Sequence, residues 1–157
     1  STETAHRVLV CPEMTYQVDV GRTLVERLPA RVRSKVVWRP NYWMPDEAVS
    51  TYACAHTVVS MDNHSPIFAL TQGTPAFYIR QPTDTTKGQM WPDLGMEDWF
   101  FEIEETTGAE IARRLLAIES DWDAAARRVG TIMDRVRTLQ RDSMARLMAA
   151  LSSVSTG

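Results

Sequence analysis

Cysteine is scarce in this chain, with two copies among 157 residues, and that scarcity excludes a small fold stapled by a disulfide framework. Cys11 and Cys54 stand inside apolar patterns, which predicts two free thiols in the core of a protein kept in a reducing cytoplasm. An excess of one charge is missing as well. Seventeen Lys and Arg against 20 Asp and Glu leave a net charge of -3, so composition points to no nucleic-acid partner and no membrane-surface attraction. The longest apolar stretches, Val8-Leu9-Val10 and Ala145 to Leu151, fall well short of the roughly 20 residues of a membrane span. There is no Cys or His pair at zinc spacing, no Gly-rich phosphate loop ending in Lys-Ser/Thr, and no G-x-S-x-G elbow. His6, His56 and His64 fall in three different elements with no second ligand near in sequence, so neither a metal nor a resident cofactor is expected. Ser1-Thr2-Glu3-Thr4 has no initiator Met and no basic or apolar targeting region. It reads as a cut end, and predicts that the chain is a piece of a longer two-domain protein.

What is present is an alternation of short β-branched runs with helical periodicity. Val8-Leu9-Val10, closed by Pro12, predicts a first strand buried on both faces. Val18, Leu24, Val25 and Leu28 then recur at helical spacing up to Pro29. Val36-Val37-Trp38 predicts the next strand, and Pro45-Asp46-Glu47 opens a helix through Ala55 with acids at its positive end. Strands follow at 57–61, 74–80 and 100–104, with a helix between the first two that runs to Gln72, capped by Asn63 or Ser65 and stopped by Gly73. Residues 81–99 lack apolar periodicity and predict a long loop of the kind kept for function. From Gly108 onward Ile111, Leu115, Ile118 and Trp122, then Val129, Ile132, Val136, Leu139, Leu147 and Leu151, predict two long helices with an ordinary salt-bridged Arg/Asp face. The expectation is a single α/β domain over 1–157: a Rossmann-like three-layer sandwich at 6–105, with a mostly parallel sheet of about five strands, followed by a helical tail at 106–152. Right-handed crossovers would gather the turns after residues 11, 39, 61 and 80 along one edge.

His64 is the candidate for chemistry, because a strand-to-helix turn gathers backbone N–H groups and a helix dipole beside an imidazole, a group able to donate or accept a proton. Ser60, Asp62, Asn63 and Ser65, which surround it in sequence, are candidate substrate-binding residues, as are Arg80 and Lys87 after the next strand. Glu13 and Tyr16, in the turn after the first strand, would face the same cleft and reach a hydroxyl. Tyr42 and Trp43 offer rings for sugar stacking, and Met90, Trp91 and Trp99 offer a lid or an interface surface.

The ordered set Ser60-Met61, His64, Ile67, Ala69, Gly73, Pro75 and Tyr78 resembles the polysaccharide pyruvyl transferase pattern, in which a strand ends in Arg-x-His and leads through an apolar helix to a Gly-x-Pro strand start. Lys87 falls where that family often has a Lys, and the VLVCP run, Asp19 and the helix near Pro45 match in order, so the resemblance spans about residues 7 to 105. It implies the C-terminal half of a GT-B-like enzyme that transfers pyruvate from phosphoenolpyruvate to two hydroxyls of a sugar in a surface polysaccharide or its precursor. The missing N-terminal half is then a partner, and a homo-oligomer is compatible with this reading. The resemblance makes His64 the general acid/base, with Arg80 and Lys87 neutralising the donor. One departure stands out: Asp62 occupies the family's Arg position, reversing the charge beside the anion cradle. Two rivals follow from it, a nucleotide-sugar-binding half of a glycosyltransferase and a non-catalytic sugar-binding module.

Overall fold

Val8–Val10 (β1) and Val36–Trp38 (β2) form strands, as their β-branched content dictates, and pair in parallel with Val8 opposite Val36 and Val10 opposite Trp38. The computed structural model describes residues 5–154, and the chain parts into two units between Thr51 and Tyr52. In the first unit the connection from β1 to β2 is helical, as a parallel pair requires. A 3-10 turn, Thr15–Gln17, leads into α1 (Val18–Arg27), and α2 (Ala30–Arg33) precedes β2. Gln17 Oε1 accepts the N–H groups of Glu13 and Met14 at 2.8 and 3.0 Å, which closes the turn after β1. α1 ends because Leu28, before Pro29, is extended (ψ 141°). α1 packs on β2 so closely that a Cβ on Gly21 would overlap the Trp38 ring. α3 (Pro45–Ala53) follows, opened by Pro45 with Asp46 and Glu47 in its first turn.

In the second unit Val58–Ser60 (β3), Ala76–Arg80 (β4) and Phe100–Glu102 (β5) make a parallel sheet in the order β3-β4-β5. Ser60 lies beside Tyr78, Tyr78 beside Phe100, and Arg80 beside Glu102. α4 (His64–Thr71) joins β3 to β4. It ends in a Schellman turn in which Thr74 N–H donates to Ala69 O and Gly73 takes a positive φ of 83°. α5 (Met90–Asp93) lies between β4 and β5, and α6 (Gly108–Ser120) and α7 (Trp122–Val154) follow β5. Phe77, Tyr78, Trp91, Met96 and Val129 are fully buried and form the centre of this unit's core. Phe77 meets Phe101 edge to face at 5.2 Å.

The α/β class, the five strands, the parallel pairing and the two C-terminal helices match expectation. Four particulars are corrected. The strands form two sheets, of two and three strands, instead of one sheet of about five. Four of the five strands have three residues, and periodicity marks a strand without naming its neighbour. β1 is not buried on both faces: Val8 and Leu9 are 42% and 43% exposed, because among the described residues β2 is the one strand that pairs with it. Residues 81–99 are not an open loop. A 3-10 stretch Pro82–Gln89, α5 and a 3-10 turn Glu97–Trp99 are held by buried Trp91, Met96 and Trp99, so those tryptophans form core and not a lid. Both cysteines are free thiols, but Cys54 is exposed and Cys11 half-buried.

Two consequences are measurable. Gly21→Val forces the Trp38 ring to move, and is expected to lower the unfolding free energy by about 1–3 kcal/mol in urea titration. Burial, and then the nearby Glu13 carboxylate, push the Cys11 thiol from 9.0 up to about 11, so its thiolate is scarce at pH 8. Iodoacetamide followed by mass spectrometry should label exposed Cys54 first at pH 8, with Cys11 labelling accelerating as pH rises toward 11.

Candidate functional site: the carboxyl rim of the three-stranded sheet

The turn after β3 is folded by its own side chains. Ser60 Oγ accepts the Asp62 N–H at 2.9 Å, and Asp62 Oδ1 accepts the His64 N–H at 2.9 Å. The same Oδ1 lies 3.0 Å from His64 Nδ1. A carboxylate at that distance selects the tautomer with its proton on Nδ1, which leaves the Nε2 lone pair of the neutral ring for another partner. The His64 side chain is 78% exposed and that of Asp62 is 29% exposed. An open imidazole thus stands on a part-buried carboxylate where a parallel strand hands over to a helix, the position at which open α/β sheets bind ligands.

Asn63 and Ser65, expected as helix caps, cap nothing. Asn63 is itself helical (φ −67°, ψ −22°), so its side chain turns away from the start of α4. Asn63 Oδ1 accepts the Trp91 indole N–H at 2.9 Å, and its Nδ2 donates to Lys87 O at 3.4 Å. Trp91 in turn stacks on Tyr78, with centroids 5.8 Å apart. Asn63 therefore clamps the segment 87–91 against the His64 turn, which brings Lys87 to this rim. Ser65 is 7% exposed and accepts the Tyr52 hydroxyl at 2.6 Å. As a buried structural contact it is not available as the substrate ligand expected from sequence.

The two predicted cations differ. The Arg80 guanidinium is matched by Glu102, its register partner, with Nε 3.0 Å from Oε2 and a second short contact from its Nη2 to Oε1. It also lies over the Phe100 ring at 5.2 Å. That hydrogen bond to Glu102 raises the pKa of Arg80, and the pairing removes it as the donor-neutralising cation expected from sequence. Lys87 is exposed, and among the described residues its ammonium pairs with no carboxylate. Beneath the rim the Tyr78 hydroxyl donates to Asp84 Oδ2 at 2.8 Å, and Asp84 also accepts Gln81 N–H at 3.1 Å. Burial, then the Asp84 hydrogen bond, hold the Tyr78 phenol well above the usual tyrosine range. Thr85, in the same segment, has φ 50° and ψ −132° and is the one non-glycine residue with positive φ among the described residues.

The structure thus brings Ser60, Asp62, Asn63, His64, Arg80 and Lys87 to one rim. Glu13 and Tyr16 belong to the other unit, where Tyr16 is 72% exposed. Sequence reasoning missed Asp84 and Glu102. Glu102 becomes visible once β4 and β5 are aligned in parallel, whereas Asp84 carries no local signal. It also missed Glu119, whose Oε2 lies 2.7 Å from His56 Nε2 and ties α6 to the entrance of β3.

No family model, no curated protein and no solved structure matches the chain. The likeness to pyruvyl transferases therefore rests on the ordered residues of the sequence alone.

Asn63→Leu leaves the buried Trp91 N–H without its acceptor. The expected loss is about 1–3 kcal/mol of stability, read by urea unfolding, with a shift of the Trp91 indole N–H resonance in the folded variant.

Proposed function

We propose that the carboxyl rim of β3-β4-β5 is an acid/base transfer site, and that its reaction is pyruvyl transfer from phosphoenolpyruvate to two hydroxyls of a sugar in a surface polysaccharide or its precursor. The observation that carries the reading is the Asp62–His64 pair, 3.0 Å apart with the ring open to solvent. The sequence resemblance supplies the reaction. Protonated His64 gives its proton to the methylene carbon of the enol phosphate, and a sugar hydroxyl bonds to the resulting cationic carbon. Neutral His64 takes that hydroxyl's proton, phosphate departs, and the second hydroxyl closes the ketal with loss of its proton. Asp62, 3.0 Å from Nδ1, fixes the orientation of the ring, a use for the carboxylate that stands in the family's Arg position. With Arg80 matched by Glu102, Lys87 holds the donor's carboxylate or phosphate.

A second reading has its own support. Asp62 and Glu102, with Asp84 beneath the rim, outnumber Arg80 and Lys87, a balance that suits a neutral, hydroxyl-rich ligand better than a multiply charged donor. On that reading the chain is a non-catalytic sugar-binding module.

Turnover and phosphoenolpyruvate titration followed at the His64 ring resonances separate the two. Transfer requires the resonances to move, and His64→Ala should reduce turnover by about 10²–10⁴-fold while Lys87→Ala raises the KM for the donor. Unmoved resonances with no turnover sink the transfer reading. Sugar binding that survives His64→Ala then supports the module.

A further inference from the structure

The two histidines of the second unit are engaged differently. His56 faces Glu119 Oε2 with its Nε2 at 2.7 Å, and its side chain is 32% exposed. His64 faces Asp62 with its Nδ1 at 3.0 Å and is 78% exposed, and among the described residues its Nε2 bonds to nothing. The ring cannot turn over to exchange its nitrogens without breaking the Asp62 contact. Asp62 is itself fixed, since Ser60 Oγ holds its N–H and the same Oδ1 accepts the His64 N–H. One nitrogen is thus occupied, and the other presents its lone pair to solvent in a set direction, as an imidazole nucleophile must.

We propose that His64 accepts a phosphoryl group at Nε2 from an activated phosphoryl donor, an acyl phosphate or a phosphoramidate. The Nε2 lone pair of the neutral ring forms the N–P bond while the P–O or P–N bond of the donor breaks. Acetate or ammonia leaves with the bonding pair, and phosphoramidate already carries on its nitrogen the proton that ammonia needs. The ring becomes cationic as the bond forms, keeps its proton on Nδ1, and shares that charge with the Asp62 carboxylate facing it. Water or a second acceptor then takes the phosphoryl group and restores the neutral ring. A phosphorus electrophile suits the position because His64 is the first residue of α4, where the helix dipole favours added negative charge. Glu102 is matched by Arg80, and Lys87 stands on the segment bonded to Asn63. One phosphoryl group also asks less of the rim's cations than phosphoenolpyruvate, which brings a carboxylate as well. The proposal rests on the geometry of the pair and not on pyruvyl transfer, and it needs neither sugar nor phosphoenolpyruvate.

Incubation of the full chain with potassium phosphoramidate at pH 8 tests it, with phosphorus NMR and mass spectrometry following the acid-labile adduct. The expected result is one phosphoryl group on Nε2 of His64, gained about tenfold faster than by the same residue in the chain unfolded in urea. His64→Gln should abolish this adduct and leave any labelling of His6 and His56 unchanged. Asp62→Asn keeps an acceptor oxygen for the His64 N–H but loses the charge, and should slow labelling about tenfold. Asp62→Ala frees the ring, and both nitrogens should then be labelled. A native rate no faster than that of the unfolded chain, a phosphoryl group on Nδ1 of the unmodified sequence, or Asp62→Asn labelled at the original rate would each overturn the proposal. Labelling at Nε2 without any pyruvyl turnover would keep this proposal and sink the transfer reading, and turnover without labelling would do the reverse.

Discussion

One carboxylate oxygen organises the rim. Asp62 Oδ1 accepts the first N–H of α4 and faces the imidazole of the same residue, so the start of the helix and the orientation of the ring are one constraint. A helix start leaves N–H groups without intrahelical partners, and an ionised acceptor placed there gains from the dipole as well as from the bond. Because Asp62 does this work, Asn63 is released from capping. Its amide then reaches 28 residues along the chain to the Trp91 indole, which seats the segment carrying Lys87 against Asn63.

The rim is built on a stiff base. Tyr78 is fully buried, stacks on Trp91 and is bonded through its hydroxyl to Asp84. These contacts join β4 to the segment that follows it, and packed aromatic rings leave little freedom to the backbone above them. Arg80 belongs to this base. Its pairing with Glu102 links β4 to β5 across one rung of the sheet, and the guanidinium also lies over the Phe100 ring. A cation so engaged holds the scaffold together, while an ammonium on an exposed side chain, such as Lys87, is free to follow a ligand.

The sequence carried the α/β class and the place of every strand, since short β-branched runs and helical spacing are local signals. It did not carry the partition into two sheets, because which strand lies beside which is decided by packing far from either. The cap of α4 was misassigned for a subtler reason. Asp62, Asn63 and Ser65 are all good capping types, and the choice among them turned on the helical backbone of Asn63 and on a tryptophan much later in the chain. Residues 81–99 looked structureless since their order comes from Asp84, Trp91 and Asn63, not from periodicity. Arg80 was legible as a cation at a strand end, but its neutralisation by Glu102 required the β4–β5 register.

Exposure of the His64 ring constrains what the rim can act upon. In water a lone imidazole–carboxylate pair is screened, and its interaction is a small fraction of what it would be in a dry site. The proposed proton transfers therefore need a substrate large enough to cover the ring as it binds. A small anion alone would leave Asp62 and His64 wet and would meet the carboxylates of Asp84 and Glu102 nearby. On the proposed reading, a long sugar chain would bring its own cover and spread its binding over many hydroxyls, with the reacting pair against a side of the imidazole that Asp62 does not occupy. On that reading, the same openness that weakens the site for a small metabolite would suit it to a polymer.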